Sequence, residues 1–193
     1  VKHVTLSNKS FARKHLCFES MRNGIVAFSL FVASLSAVAQ ENTASLSLQV
    51  AICKQIFRYD RTLTKKDTVK VAVVYGSTAD IQAVDKLITE FQSSEPMTIL
   101  CKAVAESDLR DVVFTQDAVY FFKLQQTQLA HDWTTRSAAL SLTDSEGVVK
   151  SGQATVCVTL ASGKPLILIN RTSMKREKHE FFGEILSLAK LID

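Results

Sequence analysis

Residues Val69–Tyr75 read VKVAVVY, Gly76-Ser77-Thr78 follow, and Asp80–Phe91 read DIQAVDKLITEF. The first stretch is almost continuously β-branched, the signature of a strand buried on both faces, as in a parallel sheet. In the second, Ile81, Val84, Leu87, Ile88 and Phe91 fall on one helical stripe. A two-sided strand, a glycine turn and an amphipathic helix make a β-α unit, so the chain is read as an α/β protein.

The alternation extends in both directions. Upstream, Ala44–Tyr59 places Leu48, Ala51, Ile52, Ile56 and Phe57 at helical spacing. Downstream, Met97–Ala103 reads as a strand, Glu106–Val112 as a short helix or turn, and Ala118–Phe122 (AVYFF) as a second buried strand. A polar helix over Leu124–Arg136 precedes a strand at Ala138–Leu142, and Thr143–Gly152 is rich in turn residues. Gln153–Leu160 and Pro165–Asn170 flank a short connection containing Gly163 and predict a β-hairpin. Lys178–Ile192 carries a wide apolar stripe and reads as a terminal helix. The expectation is a mainly parallel sheet flanked by helices, with a C-terminal hairpin and a terminal helix.

The N-terminal part has a different character. Met21–Gln40 reads MRNGIVAFSLFVASLSAVAQ: one arginine, an apolar core, and Ala37-Val38-Ala39 with small residues at −3 and −1 of a cut. This is the pattern of a secretory signal peptide cut after Ala39, and it implies a periplasmic location. The apolar run Gly24–Ala39 spans 16 residues, short of the roughly 20 that cross a bilayer; an uncleaved anchor is the competing reading. Residues 1–20 carry Lys2, Lys9, Arg13 and Lys14 without a clear period. Met21 is read as the true start, with an extended basic leader as the alternative. Residues 1–39 are therefore presequence, and 40–193 a single domain.

This division changes the charge argument. Five of the 23 basic residues and only Glu19 of the 19 acidic ones precede Gln40, leaving 18 of each sign. The basicity belongs to the leader, and a nucleic-acid partner loses its support. Three cysteines remain, Cys53, Cys101 and Cys157, too far apart in sequence for a zinc pairing. Buried free thiols are favoured over a single bridge.

Motifs for catalysis are missing: there is no G-x-S-x-G, P-loop, H-E-x-x-H or G-x-G-x-x-G pattern. His131 and His179 lie in polar helical surroundings and are expected to face solvent. No cofactor or metal is called for, and the chain is read as a non-enzyme. Gly76 and Ser77 follow a strand and could offer N–H groups to an anion. Thr143 and Asp144 follow another, at the strand end where α/β sheets bind ligands. Arg58-Tyr59-Asp60-Arg61 is a charged block after the first helix, read either as a binding edge or as a cap with a solvated turn. Lys175–Lys178 reads as a solvated helix approach.

Three blocks together carry a resemblance: Ile56–Leu63 (IFRYDRTL) with the strand VKVAVVYG, Leu140–Gly152 (LSLTDSEGVVKSG), and Lys164–Leu191 with Ile169-Asn170 at its centre. In order and spacing they resemble the YfiR-like family of periplasmic proteins. The resemblance implies an α/β sandwich and a regulator that binds and represses an inner-membrane diguanylate cyclase, limiting cyclic-di-GMP synthesis and biofilm formation. It departs from the family where Lys150-Ser151-Gly152 replaces paired glycines and where the first block ends in RYDR. The odd cysteine count rules out carrying over a two-disulfide arrangement. The partner expected is thus an inner-membrane sensor, a diguanylate cyclase or a histidine kinase, with Arg58, Tyr59, Asp60, Arg61, Gly76, Ser77, Thr143, Asp144 and Asn170 as candidate contacts. A homodimer is compatible with this, and the alternative is a periplasmic small-ligand-binding protein of a transport or sensing system.

Overall fold

Val69, Val71 and Val73 of strand β1 (Thr68–Tyr75) enter one hydrophobic layer, while Ala72 and Val74 enter another on the opposite face. That two-sided burial is what a β-branched run is suited to. In the computed structural model, which describes residues 46–93, 97–161 and 164–193, β1 is an interior strand of a seven-stranded sheet. The signal segment, the start at Met21 and the cut after Ala39 lie outside the described residues.

β1 pairs in parallel with β2 (Thr98–Ala105) on one side and β3 (Ala118–Phe122) on the other. β4 (Leu140–Thr143) and β5 (Val156–Ala161) extend the parallel block. β6 (Lys164–Asn170) returns antiparallel to β5, and β7 (Lys190–Ile192) lies parallel to β6. The order is β2-β1-β3-β4-β5-β6-β7. The structure is α/β with a mostly parallel sheet, as the alternation of elements predicts.

Helices α1 (46–59) and α2 (Ile81–Gln92) cover one face, where Phe57 stacks on Phe91 and Tyr120 meets Phe91 edge-on, at 6.3 and 6.1 Å between centroids. Each fully buried ring of this kind contributes roughly 1.5–3 kcal/mol. The other face is covered by α3 (Leu109–Val112), α4 (Thr127–Ser137) and α5 (Glu146–Lys150), through Leu109, Ala130 and Val149. Among the described residues no helix is long and apolar enough to cross a membrane.

Two segments differ from expectation. The turn-rich Thr143–Gly152 contains α5, because Ser145 starts a helix whose Val149 is buried. The C-terminal stripe does not form one long helix. After α6 (Arg171–Arg176), Lys178 takes a left-handed φ of 60° and Phe181 bridges to Asp60, which holds the chain extended. Only Gly183–Leu188 remain helical (α7), and Lys190–Ile192 then satisfies the free edge of β6 as β7.

The polar interior also corrects the sequence reading. His131 and His179 are 3 % and 5 % exposed, and Glu177 is fully buried rather than solvated. Glu177 accepts hydrogen bonds from Thr134 Oγ1 (2.7 Å), Ser141 N (2.9 Å) and Thr155 Oγ1 (2.6 Å). His131 Nδ1 lies 3.6 Å from Glu177 Oε1. His179 Nδ1 lies 2.6 Å from Asp60 Oδ2, and its Nε2 lies 3.2 Å from the Ala138 carbonyl. A buried carboxylate is tolerated when its lone pairs are met in this way.

Candidate functional site

Because β1 is flanked by β2 and β3, the chain leaves β1 toward one side and returns on the other. The crevice between the carboxyl ends of β1 and β3 is then the switch point where open α/β sheets bind ligands. A cleft of about 680 Å³ lies there, lined by Tyr75 at the end of β1, Gly76 and Thr78 beyond it, Glu106 and Arg110 after β2, and Gln125, Leu129 and Trp133 after β3.

Gly76 is required by close approach: a Cβ at this position would sit 2.7 Å from the Lys123 carbonyl oxygen. Ser77 caps the following turn, its Oγ accepting from Ala79 N at 3.3 Å. The two backbone N–H groups just ahead of α4 are met from within the protein. Glu106 Oε1 accepts from Gln126 N (2.7 Å) and Oε2 from Gln125 N (3.2 Å). An internal carboxylate thus stands just ahead of the helix start, bonded to the two residues that precede Thr127.

Thr143 and Asp144 stand on the same rim, at the end of β4. They line a smaller cavity of about 210 Å³ with Phe121, Lys123, Thr127 and Val148. Thr143 Oγ1 accepts from Ser145 N (3.2 Å). Burial pushes the Asp144 carboxyl above the usual carboxylate range, opposed by its own backbone N–H and by the Lys123 ammonium. Lys123 joins the two cavities: its carbonyl abuts Gly76 and its ammonium reaches Asp80 Oδ1 at 2.9 Å.

The structure therefore brings Gly76, Ser77, Thr143 and Asp144 to one rim. Arg58, Tyr59, Asp60, Arg61 and Asn170 lie elsewhere, at the amino ends of the parallel strands. Asp60 is buried: its Oδ1 accepts from Thr62 N (2.7 Å) and Leu63 N (3.0 Å), and its Oδ2 meets His179. Arg61 is held over the Phe182 ring (5.0 Å) and pairs with Glu180 at 3.5 Å. Arg58 is exposed and Tyr59 half-buried. Asn170 caps α6, accepting from Ser173 N (2.8 Å) and donating to Val149 O (3.1 Å). Asp60 and Asn170 are thus engaged in holding loops, and the exposed part of the charged block is its two arginines.

Sequence reasoning did not single out Glu106, Arg110, Gln125 or Trp133. Each follows a strand of the parallel block, so the signal was their position after strand ends; using it needed the strand order. Among the described residues no cluster of His, Cys, Asp or Glu could hold a metal ion. Cys53, Cys101 and Cys157 are free thiols, and burial raises all three.

No model of a known protein family matches this chain, and no curated protein matches its sequence. Among solved structures it is similar to a conserved domain protein from Vibrio cholerae O1 biovar El Tor, with a TM-score of 0.56 at 12 % identity. The likeness covers 77 % of this chain and 60 % of that one, so the chain spans under two thirds of its neighbour's length. At this identity the likeness is one of fold.

Proposed function

We propose that this protein acts by binding rather than by bond chemistry, as a periplasmic regulator that docks on an inner-membrane signalling protein and represses it. A diguanylate cyclase is the partner suggested by the resemblance to YfiR-like proteins, and a histidine kinase is the related choice. The observation that carries this reading is Glu106. By placing a carboxylate just ahead of α4, it disfavours phosphorylated metabolites in the switch-point crevice through like-charge repulsion. What remains is a rim of apolar and cationic side chains suited to a protein surface.

The test is capture. Purified protein is presented to detergent-solubilised inner membrane, and the retained proteins are identified by mass spectrometry. Enrichment of a cyclase or sensor kinase is expected, and its loss from membranes lacking that protein completes the case. A blank, with the bait folded, overturns the proposal.

One observation favours a second reading. The cleft volume of about 680 Å³ falls within the roughly 300–1,000 Å³ of small-molecule sites. With Glu106 and Arg110 both in the lining, the ligand in that reading is uncharged. A thermal-shift screen that finds a stabilising neutral metabolite, lost on filling the cleft by Leu129→Trp, would favour it.

A further inference from the structure

Trp133 is the only tryptophan of the chain, and it stands at the outer wall of the switch-point cleft. Two guanidinium groups lie over its ring, Arg110 at 5.6 Å and Arg136 at 5.0 Å from the centroid. Phe114 packs edge-on against the same ring at 6.3 Å. Both arginines are exposed, and among the described residues neither has a carboxylate within ion-pair distance. The nearest acidic lining residue, Glu106, is committed to the backbone of Gln125 and Gln126.

The geometry of the two elements explains the cluster. Leu129, Trp133 and Arg136 follow one another along one side of α4 at steps of four and three residues, and Arg110 and Phe114 lie four apart on the α3 segment facing it. Phe114 and Leu129 are 60 % and 48 % exposed. Stacking on an indole fixes a guanidinium in orientation while leaving its N–H donors directed outward. The result is a rim with two pre-oriented, unneutralised cations between two exposed apolar side chains.

We propose that this rim is the docking face for an acidic segment of a partner protein, whose carboxylates meet Arg110 and Arg136 and whose apolar side chain lies against Phe114 and Leu129. The assignment rests on the reading of the protein as a binding module, and specifies the chemistry its partner must present. Charge complementarity carries the choice: exposed arginines held on the indole, with no carboxylate of the described residues within ion-pair distance, are placed to meet an incoming one. The indole is already covered by guanidinium groups, which argues against a stacked aromatic ligand as the occupant.

Trp133 is a built-in reporter. A capped peptide of Glu-Glu-Leu repeats and its Gln-Gln-Leu counterpart are titrated against the protein while Trp133 emission is followed. A saturable change with the Glu peptide alone, weakening as salt is raised, is expected. The double variant Arg110→Gln, Arg136→Gln is expected to bind about tenfold more weakly. Equal responses to the two peptides, or no response to either, overturns the proposal. So does an equal response to citrate or inorganic phosphate, which makes the face a small-anion site. The Glu/Gln comparison uses the unaltered protein and does not depend on the variant folding. Membrane capture separates this assignment from the reading beneath it: partner capture that the folded double variant keeps in full overturns the acidic-segment assignment alone, whereas no capture by the unaltered protein overturns the binding reading.

Discussion

Asp144 stands where burial and a neighbouring cation act in opposite directions, and burial prevails. A carboxyl whose folded pKa lies above its unfolded value keeps its proton longer in the folded state. Its contribution therefore favours the fold at low pH and is lost as pH rises through the window that opens at roughly pH 4. Asp144→Asn is expected to remove that loss: urea melts across the window should show a smaller fall with pH, and at neutral pH the variant should be at least as stable as the parent. Marked destabilisation at neutral pH would instead make the carboxylate a structural cap for α5. At this scale the sequence was half legible. Thr143 and Asp144 could be found because they follow a strand. The burial of Asp60, His179 and Glu177 could not, since the contacts of Asp60 with His179, of His179 with Ala138, and of Glu177 with Thr134 and Thr155 lie at separations that no local pattern reports.

The clamp from Glu106 to the start of α4 ties the segment after β2 to the segment after β3. Glu106→Ala is expected to cost about 1 kcal/mol, as the loss of a helix-start carboxylate usually does. It should also expose the N–H groups of Gln125 and Gln126. Inorganic phosphate should then raise the melting temperature of the variant while leaving the parent unmoved. A parent that responds as strongly as the variant would show that the carboxylate does not block the position. Element by element, β1, α2 and β3 were readable because a β-branched run or a helical stripe announces itself within a dozen residues. α5 was hidden by the glycine and serines around it. The break between α7 and β7 was hidden by an apolar stripe that continues through both, and it is set by Lys178, the Asp60–Phe181 bridge and the edge of β6.

Across the whole molecule, two hydrophobic layers enclose the sheet, and the thiols report on them. Burial pushes Cys101 and Cys157 up to about 12 and raises Cys53 as well. At about pH 8 the reactive thiolate is then scarce in the folded state. Iodoacetamide should modify Cys53 and Cys157 only as fast as the protein unfolds, with half-buried Cys101 on the edge strand reacting ahead of them; mass spectrometry of timed samples gives the order. Early labelling of Cys157 would locate a local opening at the β4–β5 seam, where only Leu142↔Val156 and Thr143↔Cys157 pair. The fold class was legible because alternating strands and helices leave few architectures. The strand order was not, since nothing local places β1 between β2 and β3, and with it went the cleft and its tryptophan.

Glu177 ties the segment after α6 to α4, β4 and the approach to β5 through Thr134, Ser141 and Thr155, with His131 alongside. Its consequence is genealogical. Losing the carboxylate strands the Thr155 hydroxyl and the Ser141 amide, and losing a hydroxyl leaves the charge under-compensated, so no single change here is neutral by itself. Positions 131, 134, 155 and 177 should therefore drift as one unit in descendants of this sequence, their permitted substitutions contingent on one another.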